Sequence, residues 1–137
     1  MIFNYFFDKK FFKFLIVGII NTVTGSAIMF MLYNAAHLSY WVSSVCNYAV
    51  TSILSFFLNK YFTFKVRKWS VLMAFSFILT IAFSYITAYG ISKPLINFLL
   101  SGFSVRLREN TALFTGMCLF TVINYTGQRF IVFKKNE

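Results

Sequence analysis

The chain has 137 residues, of which 59% are hydrophobic and only 12% are charged, and its formal net charge is +10. A soluble domain of this length has no core large enough to bury so much apolar surface, and its charged share would be about twice as high. This composition excludes a soluble globular domain and predicts an integral membrane protein.

Four apolar runs follow one another along the chain, each near the roughly 20 residues that a hydrocarbon core requires. The predicted spans are about 14–33, 41–58, 69–92 and 111–128. The first run is too long for the apolar part of a cleavable signal peptide, so we expect it to be retained as a span.

Pro94 follows the third run, and we expect it to end that span. The sequence leaves open whether the apolar segment 95–100 is re-entrant or continues the third span. The four spans are predicted to form a single domain over residues 1–137.

Lysine and arginine divide unequally between the two sides of this arrangement. Ten lie before the first span, between the second and third, or after the fourth: Lys9, Lys10, Lys13, Lys60, Lys65, Arg67, Lys68, Arg129, Lys134 and Lys135. Lys93, Arg106 and Arg108 lie on the other side. The positive-inside rule therefore predicts both termini in the cytoplasm, with the cations facing anionic lipid. Because these cations flank spans instead of forming one soluble face, we expect no nucleic-acid partner.

A seven-residue phrase closes both the second and the fourth span, with copies 69 residues apart. The first copy, Asn59–Lys65, reads NKYFTFK, and the second copy, Gln128–Lys134, reads QRFIVFK. Each has an amide, a cation, three bulky residues, Phe and Lys. The predicted fold is therefore an all-α integral membrane protein whose four transmembrane helices form two parallel-repeat hairpins. Two such ends on one face would form a basic, aromatic-rimmed mouth suited to an anionic lipid headgroup.

Several uncharged polar side chains fall inside the spans, where they are costly unless they find partners. They include Asn21, Asn47, Ser55, Asn59, Asn124 and Gln128. Asn47, Ser55 and Asn59 are spaced by multiples of four and so share one stripe of the second helix. These side chains fit two interpretations, hydrogen bonds between helices or a hydrophilic groove for a ligand.

Acidic residues are absent from all four predicted spans; the three in the chain are Asp8, Glu109 and Glu137. A proton-coupled exporter needs a carboxylate in the membrane, which argues against that class. A phosphate-binding GxxxxGK[ST] motif, a catalytic carboxylate pair and metal-ligand spacings are also missing. We therefore expect no enzyme activity, no cofactor and no metal site.

Five stretches together resemble the GtrA-like family of small four-span membrane proteins. They are Phe14–Thr22, Asn47, Ser55–Phe64, Asn124–Tyr125 and Gln128–Phe133, which cover the chain from the first span to the last. The family often has a second Asn-Arg pair where this chain has Gln-Arg. The resemblance implies translocation of a polyprenyl-phosphate-linked monosaccharide across the bacterial cytoplasmic membrane. It also implies a membrane glycosyltransferase that makes this lipid, and an O-antigen, teichoic acid or other envelope polymer that receives the sugar.

The residues suit such a substrate, which carries one negative charge at the headgroup level. Lys60 and Arg129 would hold the phosphate, and Asn59 and Gln128 would bond the phosphate or the sugar hydroxyls. The polar residues above them would carry the sugar, namely Asn21, Asn47, Ser55 and Asn124. The prenyl tail would remain in the lipid.

Other interpretations remain open at this point. Lys60 and Arg129 could simply snorkel to the interface, as cations at helix ends commonly do. The chain could be a non-transporting subunit that anchors a glycosyltransferase or presents lipid to it, and a small multidrug-type exporter is disfavoured by the missing carboxylate. Because four short helices enclose little volume, we also expect a homo-oligomer.

Overall fold

The computed structural model describes residues 3–4 and 7–134. The helical elements are α1 (Lys9–Phe30), π1 (Met31–Ala35), α2 (Tyr40–Leu58), π2 (Asn59–Thr63), α3 (Val71–Leu99), α4 (Val105–Gly127) and π3 (Gln128–Val132). No strand occurs in these residues, so the all-α prediction is confirmed. Lys135, one of the cations used to predict orientation, and Glu137 lie outside the described residues.

The chain divides into two compact units, Met1–Lys68 and Trp69–Glu137. In the first unit α1 packs against α2, and in the second unit α3 packs against α4. The division falls between the two copies of the predicted repeat. Each unit therefore contains one helical hairpin and one copy of the phrase.

A side-chain oxygen marks the start of each long helix. The hydroxyl groups of Ser39, Ser70 and Ser104 each accept a bond from the backbone N–H three residues later, at 3.0–3.3 Å. Asp8 caps α1 in the same manner by accepting from the N–H groups of Lys10 and Phe11. Such caps satisfy donors that have no partner inside the helix. The cap at Ser104 explains why α4 begins before residue 111, where the apolar run suggested it would start.

Pro94 does not end the third helix, contrary to the expectation from the sequence. It lies within α3, which runs for 29 residues. The segment 95–100 thus continues α3, and the helix ends where the Leu100 N–H bonds to the Ile96 carbonyl at 2.9 Å. Proline removes one backbone donor. In a membrane, however, the remaining backbone N–H and carbonyl groups must still form hydrogen bonds within the protein, which favours continuation of the helix.

Three helices are long and apolar enough to cross a membrane: Lys9–Ala35, Tyr40–Thr63 and Val71–Leu99. Many of their large apolar side chains face outward, and Val71, for example, is 78% exposed. The molecule is therefore a membrane protein with at least three candidate spans among its described residues. The predicted fourth span corresponds to α4, whose first two turns carry Arg106, Arg108 and Glu109.

Candidate functional site

Both copies of the phrase form the same local structure. In each, the preceding α-helix widens into a five-residue π-helical turn, π2 or π3. The turn is closed by the Phe64 N–H bonded to the Asn59 carbonyl, and by the Phe133 N–H bonded to the Gln128 carbonyl, both at 2.8 Å. Phe64 and Phe133 are both buried. The loose sequence repeat thus corresponds to a shared backbone conformation.

The amide that opens the first phrase has partners on its own helix. Asn59 is buried; its Nδ2 donates to the Ser55 hydroxyl at 3.3 Å, and its Oδ1 accepts from the Thr63 hydroxyl at 3.0 Å. Ser55 lies one turn before Asn59 and Thr63 one turn after. These three side chains form a continuous polar ladder along α2 and π2.

The amide that opens the second phrase is only partly satisfied. Gln128 is buried, and its Nε2 donates to Asn124 Oδ1 at 3.2 Å. Its Oε1 is buried and has no hydrogen-bond partner among the described residues. A buried acceptor without a donor is unfavourable by about 1–3 kcal/mol, so a ligand hydroxyl or a water that reached it would stabilise this position.

The cation of the first phrase points toward the backbone of the residues that follow the phrase. Lys60 is 0% exposed, and its ammonium group donates to the carbonyls of Val66 and Arg67 at 3.1 and 3.3 Å. It also lies 4.0 Å from the centroid of the Tyr61 ring. Lys65 adopts a positive φ of 53°, which turns the backbone so that these carbonyls face the ammonium group. The carbonyl dipoles and the ring replace the water that a buried charge would otherwise lack.

The cation of the second phrase is held on its own helix. Arg129 is half-buried, and its Nη1 donates to the hydroxyl oxygen of Tyr125 at 2.6 Å. Its guanidinium carbon lies 5.7 Å from the Tyr125 ring and 5.5 Å from the Phe130 ring. The Tyr125 side chain is wholly buried. Arg129 therefore has a partner one turn back along α4.

The two remaining predicted site residues, Asn21 and Asn47, lie deeper in the first unit. Both are half-buried, and Asn21 Oδ1 is buried without a hydrogen-bond partner among the described residues. Asn47 lies directly against Gly25, where a methyl group would collide with its side-chain oxygen. The threonines nearby bond to carbonyls of their own helices, as Thr51 does to the Asn47 carbonyl at 2.8 Å.

The predicted residues thus fall into two sets, each within its own unit. Ser55, Asn59 and Lys60 share the end of the second helix, and Asn124, Gln128 and Arg129 share the end of the fourth.

Sequence reasoning missed three contributors to these two sets. Lys13 of α1 reaches the first phrase, with its ammonium group 3.5 Å from the Phe62 carbonyl and 5.0 Å from the Phe62 ring. The hydroxyl of Tyr125 and the carbonyls of the 66–67 segment were not considered as partners. Only the Tyr125 contact had a sequence signal, because tyrosine occupies the position that Phe56 holds in the first repeat. Among the described residues, no three His, Cys, Asp or Glu side chains are grouped so that they could hold a metal ion.

Comparison with known families places this geometry in context. The family model described as GtrA/DPMS, transmembrane domain, matches residues 13–133. The match runs from the start of the first span to the second copy of the phrase, of which it includes all but Lys134. No curated protein and no solved structure matches the chain.

Proposed function

Because this chain belongs to the GtrA/DPMS transmembrane-domain family, whose members are linked to the handling of lipid-linked sugars, we propose that it translocates a polyprenyl-phosphate-linked monosaccharide. The movement would be from the inner to the outer leaflet of the bacterial cytoplasmic membrane. The sugar would then modify an envelope polysaccharide such as O-antigen, or a teichoic acid. The family match over residues 13–133 is the observation that carries this proposal.

The proposal includes a fourth span formed by α4. This helix has 23 residues, which corresponds to about 34 Å at the rise of an α-helix, so it is long enough to cross a hydrocarbon core of about 30 Å. Its charged first turn would then lie at the outer headgroups and Arg129 at the inner ones. Both termini would be cytoplasmic, in agreement with the distribution of lysine and arginine.

In this proposal Arg129 makes the main contact with the phosphate. A phosphodiester between sugar and lipid is a monoanion, and a guanidinium group can meet two of its oxygens at once. Arg129 is half-buried between two aromatic rings, which strengthens its electrostatic interactions compared with a fully solvated side chain. The unsatisfied Oε1 of the neighbouring Gln128 would accept a bond from a sugar hydroxyl.

Lys60 takes part in a different manner. Its ammonium group is bonded to two carbonyls of its own chain, so it reaches a phosphate only by exchanging those bonds. The polar residues within the spans would line the path of the sugar: Asn21, Asn47, Ser55, Asn59 and Asn124. No energy source is required, because consumption of the sugar outside would drive net movement.

A reconstituted assay tests this function. Purified protein in liposomes should accelerate movement of a polyprenyl-phosphate monosaccharide between leaflets, measured by the access of a reagent added outside. Arg129→Ala should slow this movement by at least about tenfold, as expected for loss of a charge-assisted contact. Lys68→Ala, which removes an exposed cation near the first phrase, is the matched control and should leave the rate unchanged.

A second function is favoured by the burial of the proposed site. Lys60 and Gln128 are 0% exposed and Asn59 is 1% exposed. Such burial suits a protein without a transport path better than one whose polar residues line an open path for the sugar. The chain would then be a non-transporting subunit that anchors a membrane glycosyltransferase or presents lipid to it. Protein that moves no lipid in liposomes, but binds the transferase tightly, would support this alternative. Expulsion of toxic cations driven by a pH gradient would instead indicate an exporter and contradict both proposals.

The proposed partners follow from the same considerations. The lipid-linked sugar and the surrounding membrane lipid are direct partners, and the membrane glycosyltransferase is the expected protein partner. We also propose a homo-oligomer, since four short helices enclose little space for a sugar. Crosslinking in native membranes tests both protein contacts.

A further inference from the structure

Just before each phrase, an aromatic residue lies one turn before the cation. The first repeat has Phe56 there and the second has Tyr125, so only the second repeat offers a hydroxyl group. We propose that Tyr125 is a positioning residue that holds the Arg129 guanidinium in the orientation that binds the lipid phosphate. We also propose that Lys60, which has Phe56 instead of a tyrosine one turn before it, stabilises the connection between α2 and α3. This inference rests on the proposed function, because it assigns the phosphate contact to one of the two repeats.

The contact between Tyr125 and Arg129 restrains the arginine in two ways. The hydroxyl accepts a charge-assisted hydrogen bond at 2.6 Å, and the ring lies 5.7 Å from the guanidinium carbon. Tyr125 is fully buried, so its ring is fixed by the surrounding side chains. An arginine at the end of a membrane helix normally extends toward water. Here the guanidinium instead bonds to a hydroxyl group one turn back along its own helix.

The first repeat shows what happens without the hydroxyl group. The Phe56 ring is buried and offers no oxygen to the cation that follows it. Lys60 instead points the other way along the chain, to the carbonyls of Val66 and Arg67, which the backbone turn at Lys65 brings toward it. Those bonds connect the end of α2 to the segment that leads to α3. The two cations therefore have different partners, although the five-residue π-helical turns that hold them have the same form.

This division of tasks is consistent with the chemistry of the two side chains. Arginine keeps its charge when partly buried and presents several donors in a plane, so one bond to Tyr125 fixes the direction of the others. Lysine is a compact charge with rotatable donors, which suits it to carbonyls that converge from one turn of backbone. Each helix end thus has a positive charge, but only in the second copy is that charge bonded to an aromatic hydroxyl group.

The experiment measures binding of undecaprenyl phosphate to the full chain in nanodiscs of zwitterionic phosphatidylcholine. Tyr125→Phe keeps the ring and removes only the hydroxyl, and it should weaken binding by about tenfold, the loss expected for one bond to a charged group. Tyr61→Phe is the matched control, since it removes a hydroxyl from an exposed ring beside Lys60, and it should not change the Kd.

A double-mutant cycle distinguishes positioning from a merely structural role. If Tyr125 acts through Arg129, then Tyr125→Phe should cause no further loss once Arg129→Ala is present, because the interaction it supports is already gone. A loss of the same size in both backgrounds would overturn the positioning role. Thermal unfolding of each variant reports whether the fold is intact.

The remaining outcomes separate this inference from the proposed function. If the wild-type chain binds undecaprenyl phosphate and Tyr125→Phe binds equally well, the positioning role is wrong while the proposed function stands. If the wild-type chain shows no preference for undecaprenyl phosphate over a neutral polyprenol, phosphate recognition fails and both proposals are overturned.

Discussion

Lys60 is a buried cation whose partners among the described residues are backbone carbonyls and an aromatic ring. Its ammonium group has two backbone carbonyls and an aromatic ring within reach, and together these replace its hydration. The buried ammonium group thus binds the segment after π2, which supplies the carbonyls of Val66 and Arg67. Removal of the charge should therefore affect the connection between the units more than the helices themselves.

Replacement of this charge gives a prediction about stability. Lys60→Met keeps the length of the side chain but leaves the carbonyls of Val66 and Arg67 without the ammonium group. We expect the free energy of unfolding to fall by about 1–3 kcal/mol, the usual range for hydrogen bonds to a charged group. Thermal unfolding in detergent, followed by far-UV circular dichroism, measures the change. Lys68→Met alters an exposed lysine in the same segment and should have little effect; equal effects would show that the buried bonds are unimportant.

Gly116 gives a second prediction at the residue scale. A methyl group at Gly116 would lie 2.5 Å from the Tyr89 ring and 3.0 Å from the Ser92 hydroxyl, so α3 and α4 would have to separate or the ring would have to move. We expect Gly116→Ala to destabilise the protein by about 1–3 kcal/mol, as overpacking commonly does. Unfolding in detergent measures this effect.

The matched control for that variant is Gly90, which lies in the same unit. Nothing lies within 4 Å of a methyl group placed there. Gly90→Ala should therefore be neutral or stabilise by up to about 1 kcal/mol, because alanine favours a helix more than glycine does. A destabilising effect at Gly90 as large as that at Gly116 would indicate that glycine itself, and not close packing, matters in these helices.

At the scale of elements, three helices end in a π-helical turn. Two of these turns are the shared phrases and the third is Met31–Ala35, which has a different sequence. In π1 and π2 the turn is followed by a residue with positive φ, His37 and Lys65 respectively. The widened turn is thus a general way in which helices of this protein end. The phrases therefore differ from π1 in their amides and cations, not in the type of turn.

Deletion of one residue tests whether the widened π-helical turn is needed for folding. Removal of Phe62 would shift every later residue of π2 by about 100° around the helix axis, so Thr63 and Phe64 would leave their buried positions. We expect the deletion to abolish a monodisperse peak in size-exclusion chromatography. Deletion of Gly102, in the exposed turn between α3 and α4, removes one residue without this rotation and should be tolerated. Tolerance of both deletions would show that the widened turn is not needed for folding.

The whole molecule raises the question of orientation. The lysines and arginines favour cytoplasmic termini, and α4 must cross the membrane for both termini to lie on one side. We therefore predict that the turn between α3 and α4 is outside and that the segment after π3 is inside. The two native cysteines, Cys46 and Cys118, need to be replaced before this prediction is tested with thiol reagents.

Cysteine labelling in intact cells tests the prediction. A membrane-impermeant maleimide should label Gly102→Cys directly, while Lys68→Cys and Lys134→Cys should react only after the cells are opened. If Lys134→Cys reacts in intact cells together with Gly102→Cys, then α4 does not span the membrane and the four-span arrangement is wrong. If all three variants react in intact cells, the reagent has leaked into the cytoplasm. Labelling of a control protein that is cytoplasmic and has an exposed cysteine would reveal this leakage.

Much of this architecture was predictable because it depends on local or average properties of the chain. Apolar runs of about 20 residues predicted four spans, and three of the corresponding helices have a length and composition that suit a membrane. The chain also divides into two compact units between the two copies of the phrase. Helix ends were less predictable. The Ser104 cap placed the start of α4 among charged residues, and Pro94 did not interrupt α3, because a backbone in lipid keeps its hydrogen bonds wherever it can.

By itself, the sequence determined the membrane class, the helical fold and the family, since hydropathy and residue order are enough to specify them. The tertiary structure decided how the chemistry is arranged. The carbonyls that bind Lys60 come within reach only after the backbone turns at Lys65, and Asn47 meets Gly25 only when α1 packs on α2. Arg129 and Lys60 hold equivalent places in the two phrases, yet Arg129 donates to the Tyr125 hydroxyl group and Lys60 to the Val66 carbonyl. The direction of a flexible side chain depends on the partners that folding brings near it, and a linear pattern does not contain that information.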